Sequence, residues 1–169
     1  MDATRESEPA RMNNRTTVER TSERELVVTR TFNGPARIVF EAWTRPELIK
    51  LWWVPKSMGM SLRSCEMDVR VGGTYRLVFA HGDSEMAFFG RYKEVVPHSR
   101  LVWTNDEGDG CPVTTVTFTE EDGRTLLVMH DLYPSKEALD EGGGAADAMP
   151  QTFEQLDELL VTLGASAGS

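Results

Sequence analysis

The chain has 169 residues, of which 40% are hydrophobic, and its formal net charge at pH 7 is -9. This length and hydrophobic content can form the buried core of one domain, whereas the acidic balance disfavours nucleic-acid binding, which requires clustered Lys and Arg side chains. The sequence contains no run of about 18 apolar residues, so it predicts no transmembrane helix and no membrane partner.

The N-terminal segment carries few structural signals. Residues 1–23 are polar and almost without apolar periodicity, which predicts a disordered tail; an expression artefact or a weakly docked arm is the alternative. Met1 to Arg24 also lacks the apolar core of a signal peptide. Without a membrane span or a signal peptide we expect a cytoplasmic protein, in which the two cysteines, Cys65 and Cys111, far apart in the sequence, are free thiols rather than a disulfide.

Two short helices are predicted after the first strand. Glu25 to Phe32 is rich in β-branched residues, which is typical of a strand. Pro35 suits the first helical position, because a proline there loses no hydrogen bond. The apolar positions of the first helix are Ile38, Val39, Ala42 and Trp43. Pro46 begins the second helix, whose apolar positions are Leu48, Ile49, Trp52 and Trp53.

From residue 61 the apolar period changes to two, which predicts strands. The expected strands are 61–69, 73–81, 85–96, 100–105, 112–119 and 124–131. Glycine, proline and acidic turn signals separate them, so the connections are short. Short connections between successive strands indicate an antiparallel meander, and the strand before the helices can join one edge of the sheet.

The C-terminal segment returns to a helical period. Its apolar positions are Met149, Phe153, Leu156 and Leu160. Gly142-Gly143-Gly144 and Pro150 oppose an early start, because glycine and proline weaken helix interiors, so the helix should begin or kink near 148–150. The interrupted segment is either a lid over a cavity or a tolerated loop. We expect one domain over residues 24–163, followed by a tail at 164–169.

These patterns together define an α+β fold: a curved antiparallel sheet of about seven strands around a long C-terminal helix, with two short helices after the first strand. Four stretches, at residues 32–55, 90–104, 131–140 and 153–160, carry a family likeness. They resemble the SRPBCC (START-like, helix-grip) superfamily, in the branch named after the activator of the 90-kDa heat-shock chaperone ATPase. The likeness covers residues 24–163. It implies the helix-grip fold and a deep apolar cavity.

Strand and helix periodicity predicts which side chains line the interior. The candidate ligand-binding residues are Trp52, Trp53, Tyr75, Leu77, Phe79, Phe88, Tyr92, Trp103, Phe118, Met129, Met149 and Phe153. The inward position of Met129 is implied by the resemblance, because both faces of its strand are apolar. On periodicity alone these side chains form a closed core, because most apolar faces pack completely. The resemblance favours a cavity instead. Its polar anchors would be the hydroxyls of Tyr75 and Tyr92 and the indole N–H of Trp103.

No catalytic or metal motif is recognisable in the sequence. His130 and Asp131 are neighbours on a strand and point to opposite faces, so they do not form a dyad. His81 and His98 lie in turns and are expected to be solvated. No paired-cysteine or His-Glu-x-x-His pattern is present, and no dinucleotide or phosphate loop, so we expect neither a metal nor a cofactor.

Three functions are compatible with these sequence patterns. The first is binding of a hydrophobic or amphipathic small molecule in the cavity. The second is a chaperone co-factor or other interaction module, which would favour an exposed apolar patch such as Trp52-Trp53. The third is a cyclase- or hydrolase-like enzyme that uses the same cavity. The first is preferred, and a monomer and a homodimer are both compatible with the sequence.

Overall fold

The structure is a computed structural model that describes residues 16–54, 59–106, 110–142 and 148–167. Within these ranges it contains eight strands and four helices. The strands are β1 (Thr17–Ser22), β2 (Glu25–Phe32), β3 (Ser61–Met67), β4 (Thr74–His81), β5 (Ser84–Val96), β6 (Arg100–Thr104), β7 (Val113–Glu121) and β8 (Arg124–Leu132). The helices are α1 (Ala36–Thr44), α2 (Pro46–Trp52), α3 (Lys136–Gly142) and α4 (Met149–Ala167).

All eight strands form one antiparallel sheet in the order β1-β2-β8-β7-β6-β5-β4-β3. The meander from β3 to β8 is the one predicted, and β2 joins its far edge by pairing with β8. The register shifts between Leu62 and Ser64 and again between Tyr92 and Glu94. Such irregularities bend strands, which helps the sheet to curve around the helices. The predicted α+β helix-grip architecture is therefore confirmed.

Both ends of the ordered chain extend beyond the expected limits. Thr17–Ser22 forms the edge strand β1, although residues 1–23 were expected to be a disordered tail. Five of its six residues are exposed, so no apolar alternation marks it in the sequence. At the other end, α4 continues through Ala167, past the limit expected at residue 163. Residues 1–15 lie outside the described part.

The break between α1 and α2 follows from Pro46. Arg45, which precedes it, has extended dihedral angles (φ -108°, ψ 121°), because a residue before proline disfavours the helical region. The two helices are nevertheless tied together, since the Trp52 indole N–H donates to the Ala42 carbonyl at 3.0 Å. This turn places Trp43 and Trp52 in contact, with ring centroids 4.9 Å apart.

Helix α4 begins at Met149 with Pro150 in its first turn, as the glycines and the proline predicted. Gly143 and Gly144 lie outside the described residues. The Gln155 side-chain amide donates to the carbonyls of Trp52 (3.0 Å) and Val54 (2.9 Å). These carbonyls lie at the end of α2, where the helix itself offers them no partner, so Gln155 joins the two helices in the interior.

The closed part of the core lies between the sheet and helices α1, α2 and α4. Its largest fully buried apolar side chains are Phe32, Trp43, Trp52, Leu101, Leu127, Phe153 and Leu156. Phe153 packs edge-on against Phe32 at 5.5 Å between centroids. A buried ion pair also links α4 to the sheet: the Arg30 guanidinium lies 2.9 Å from the Asp157 carboxylate, and both side chains are largely shielded from solvent.

Helix α3 was not predicted as a separate element. The Ser135 hydroxyl accepts a hydrogen bond from the Ala138 N–H at 3.1 Å, which is the geometry of a helix N-cap. Lys136 and Asp140 form an i,i+4 ion pair on its surface. Leu139 packs with Leu26 and Tyr133 in a small cluster outside the main core. The serine at 135 was the available sequence signal.

Gly90 allows β5 to approach the end of β6 closely. A Cβ atom at this position would overlap the Thr104 carbonyl and lie 3.0 Å from the Tyr75 ring. Tyr75 faces Gly90 across the β4–β5 ladder, and its hydroxyl donates to that same carbonyl at 2.8 Å. Because Gly90 has no side chain, the Tyr75 ring has the space to lie against β5 and reach the Thr104 carbonyl.

We expect Gly90→Ala to lower the free energy of unfolding by about 1–3 kcal/mol, because the added methyl group forces backbone apart. Urea denaturation provides the measurement. Gly34→Ala is the matched control, since a Cβ there meets nothing within 4 Å. Equal stability of the two variants would show that the strands can separate without cost.

Candidate functional site

A cavity of about 610 Å³ opens between the sheet and the start of α4. One wall is formed by β4, β5 and β6, through residues such as Leu77, Tyr92 and Trp103. The opposite wall is formed by Trp43 of α1 and by Met149 and Thr152 of α4. The volume lies within the range of about 300–1,000 Å³ that is usual for small-molecule sites.

The cavity reaches solvent along β5. Met86 and Phe88 both line it, and they are 49% and 39% exposed. Phe88 packs against Phe79 at 5.1 Å between ring centroids, so an aromatic pair stands at this opening.

Eight of the twelve predicted ligand-binding residues line this cavity. They are Trp53, Tyr75, Leu77, Phe79, Phe88, Tyr92, Trp103 and Met149. The alternation along β4 and β5 placed five of them on one face of the sheet, as expected. Ligand contact by these side chains remains a prediction.

Four predicted residues lie in the closed core instead. Trp52 and Phe153 are 0% exposed, and Phe118 and Met129 are 5% and 9% exposed. All four belong to the main core cluster, and none lines the cavity. Helix α1 packs against β7 and β8, which carry Phe118 and Met129, whereas the cavity lies over β4, β5 and β6.

Several residues that line the cavity were not predicted from the sequence. They are Trp43, Ile49, Val54, Met60, Met67, Met86, Asn105, Ala148 and Thr152. Most are apolar, and the periodicity of apolar residues cannot distinguish a core position from a cavity wall. Asn105 differs, because it is polar and was predicted only as the last residue of the strand 100–105; in the structure it follows β6, which ends at Thr104. No sequence signal marked it.

Besides that of Tyr75, two hydroxyl groups lie on buried side chains of the cavity lining. They belong to Tyr92, which is 4% exposed, and Thr152, which is 2% exposed. Burial raises the pKa of the Tyr92 hydroxyl above its ordinary value, and the nearby Cys65 raises it further. The Tyr92 hydroxyl is therefore neutral at neutral pH.

A chain of hydrogen bonds leads from the cavity into the sheet. The Tyr75 hydroxyl donates to Thr104 O (2.8 Å) or to Asn105 Oδ1 (3.0 Å). The Asn105 amide donates to Pro112 O at 2.6 Å and to Thr114 Oγ1 at 3.2 Å. Thr114 in turn donates to Asp131 Oδ1 at 2.6 Å. A buried polar network of this kind holds its members in fixed orientations.

Burial raises the pKa of Asp131, and the Thr114 hydrogen bond and the His130 charge only partly oppose it. The folded protein therefore favours the protonated carboxyl, so Asp131 weakens stability as pH rises above the ordinary aspartate range.

We expect Asp131→Asn to raise the melting temperature at pH 7, because asparagine keeps the acceptor without the charge. The gain should shrink by pH 4. Melting temperatures of both proteins measured at pH 7 and at pH 4 test this. An equal gain at the two pH values would contradict the raised pKa of Asp131.

Two further titratable candidates, His130 and Cys65, lie outside the cavity lining. His130 Nε2 lies 2.8 Å from Glu25 Oε2, while Asp131 bonds to Thr114, so the two neighbours engage different partners, as expected. Burial raises the pKa of the Cys65 thiol to about 11, which leaves it protonated and weakly nucleophilic. Among the described residues, no group of three or more His, Cys, Asp or Glu side chains could hold a metal ion.

The fold and this cavity define a helix-grip, START-like protein. The family model "Activator of Hsp90 ATPase homolog 1-like protein" matches residues 33–161, and the chain belongs to that family. Members of this fold family include ligand-binding and co-chaperone-like domains. No curated protein matches the chain. No helix in the described ranges is long and apolar enough to span a membrane.

Solved structures show the same fold. A protein from Rhodobacter sphaeroides has a TM-score of 0.79 and 23% identity, over 88% of this chain and 99% of that chain. A protein from Chromobacterium violaceum has a TM-score of 0.67 and 26% identity, over 80% and 96%. The AHSA1-like protein from Aeromonas hydrophila has a TM-score of 0.64 and 18% identity, over 79% and 93%.

Proposed function

We propose that this protein binds a hydrophobic or amphipathic small molecule in the cavity between β4–β6 and the start of α4. The observation that carries the proposal is the cavity itself, about 610 Å³ in volume and lined mainly by aromatic, leucine and methionine side chains. An apolar space of this size is costly to leave empty, because its lining atoms lose packing contacts, and a ligand would restore them. Its opening beside Met86 and Phe88 gives such a ligand a path.

The amino-acid types at the wall fit this role. Three of the four tryptophans, Trp43, Trp53 and Trp103, contribute to the lining, together with Tyr75 and Tyr92. Aromatic rings present large apolar faces, and those of tyrosine and tryptophan also carry a hydrogen-bonding group. This combination suits a ligand with an apolar skeleton and one or a few polar substituents.

Filling the cavity tests the proposal. In Thr152→Trp, an indole replaces a small side chain that lines the cavity on α4, and ligand binding should fall at least about tenfold, because the added ring occupies the space of the ligand. Val161→Trp is the matched control, because it also introduces an indole, but on the exposed face of the same helix, where Val161 is 68% exposed. Native mass spectrometry with a panel of alkylphenols, fatty alcohols and polycyclic aromatics would report binding. Undiminished binding in Thr152→Trp would show that the ligands bind elsewhere.

A role as a chaperone co-factor is the second candidate, and the family to which the chain belongs favours it. The apolar patch that the sequence suggested for this role is not formed: Trp52 is fully buried, and Trp53 packs against Trp52 and Trp43. Co-purification of a stoichiometric 90-kDa chaperone, unaffected by Thr152→Trp, would favour this role over ligand binding.

A further inference from the structure

The polar end of the cavity is built around Asn105, which lines it. Both amide hydrogens of this side chain are used, one for the Pro112 carbonyl at 2.6 Å and the other for Thr114 Oγ1 at 3.2 Å. A carbonyl can only accept a hydrogen bond, so the position of Pro112 fixes which end of the Asn105 amide is nitrogen. Asn105 therefore presents only its oxygen, Oδ1, to any further partner.

Tyr75 adds no donor at this end. Its single hydroxyl hydrogen points to Thr104 O at 2.8 Å or to Asn105 Oδ1 at 3.0 Å, and both of these atoms are acceptors. In either case the Tyr75 hydroxyl hydrogen is donated to a protein atom and is not available to a ligand. The oxygen of Asn105 still has capacity for a second hydrogen bond, because a carbonyl oxygen carries two lone pairs.

The direction of this network does not depend on the protonation of Asp131. Thr114 Oγ1 accepts from Asn105 and donates to Asp131 Oδ1 at 2.6 Å when the carboxyl is ionised. Protonation of Asp131 changes only the hydrogen bond between Asp131 and Thr114. The Pro112 carbonyl remains an acceptor, so the orientation of the Asn105 amide does not change. The carboxyl group behind Asn105 and the net charge of -9 both disfavour a negative group at this end of the cavity.

We propose that the ligand of this cavity carries a hydroxyl or amino group that donates a hydrogen bond to Asn105 Oδ1, so that this end of the cavity selects alcohols, phenols or amines over ethers and carboxylates. This inference rests on the proposed function. A ligand with an ether oxygen here would place one hydrogen-bond acceptor against another, Asn105 Oδ1. It would also displace water from Oδ1 without donating a hydrogen bond in its place, which is costly in a buried site. A carboxylate would add charge repulsion to the same mismatch.

Three probes with one skeleton test the inference: 4-hexylphenol, 4-hexylanisole and 4-hexylbenzoate, titrated by calorimetry at pH 7.5. We expect the phenol to bind at least about tenfold more tightly than the anisole, and the benzoate to bind most weakly. Equal or tighter binding of the anisole or the benzoate would overturn the donor inference and leave cavity binding standing. Failure of all three, together with the wider panel above, would instead overturn the proposed function.

A variant locates the selectivity. Asn105→Leu keeps the approximate volume and removes the acceptor, so the phenol-to-anisole ratio should fall to near one while the anisole still binds. Asn33→Leu, the same change at an exposed bend, should keep the ratio of the unmodified protein. Retention of the full ratio in a folded Asn105→Leu protein would contradict the assignment to Asn105. If that variant does not fold, the three-probe comparison on the unmodified protein still decides the donor inference.

Discussion

Phe153→Ala is expected to lower the free energy of unfolding by about 3–5 kcal/mol, one of the largest effects of any substitution in this protein. Phe153 is 0% exposed and packs against the rings of Phe32, Trp43 and Trp52 at centroid distances of 5.5, 6.1 and 6.4 Å. Its removal leaves a hole where α4 meets both the sheet and the two short helices. The surrounding rings are held by several partners and cannot close that hole fully.

Urea denaturation followed by circular dichroism measures this loss. Val161→Ala, at an exposed position of the same helix, should change stability by no more than about 0.5 kcal/mol. The result also separates two roles for Phe153, which the sequence suggested as a ligand contact. A loss below about 1 kcal/mol combined with abolished ligand binding would contradict its place in the closed core.

Asp157→Ala is expected to cost about 3 kcal/mol or more, because it leaves the Arg30 guanidinium buried without a carboxylate. Arg30 is 5% exposed, and it also donates a hydrogen bond to Thr16 Oγ1 at 2.9 Å. Its Nε has no partner within the described part of the chain, so little remains to compensate the charge. The Phe32 ring, 5.6 Å away, contributes only a modest cation–π attraction.

The matched comparison is the double variant Arg30→Met, Asp157→Leu. Removing both charges should recover most of the stability lost in Asp157→Ala, since a buried ion pair can often be replaced by apolar side chains of similar volume. The measurement is thermal unfolding of the unmodified protein, Asp157→Ala and the double variant at low and high salt. A loss in Asp157→Ala below about 1 kcal/mol that also vanishes in salt would show that the pair behaves as a surface ion pair.

The sheet could be predicted closely from the sequence because the strands from β3 to β8 have a period of two and turn signals between them. Tyr75, Leu77 and Phe79 alternate with polar residues or small side chains along most of β4, and their shared inward face follows directly from that pattern. Strand β1 could not be found in this way. It lies at the sheet edge with only Val18 half-buried, so its pairing with β2 depends on backbone hydrogen bonds that leave no apolar pattern.

The cavity was harder to predict, since an inward-facing side chain can contact either a neighbour or an open space. Trp52 and Trp53 illustrate the limit: both were expected at the site, yet Trp52 is sealed by Ala42 and Trp43, while Trp53 reaches the cavity. Neighbours on a helix point about 100° apart, and the packing of α2 against α1 and α4 decides which one is enclosed. The orientation of the Asn105 side chain likewise depends on a tertiary contact, its hydrogen bond to the Pro112 carbonyl.

Native mass spectrometry of the purified protein, followed by extraction and identification of any small molecule that accompanies it, tests ligand binding most directly. We expect a stoichiometric apolar molecule that is present in the unmodified protein and in Val161→Trp and is lost in Thr152→Trp. A protein that is free of such a molecule and also fails to bind any member of the hydrophobic panel, with its tryptophan fluorescence unchanged, would contradict ligand binding in this cavity and favour a partner protein instead.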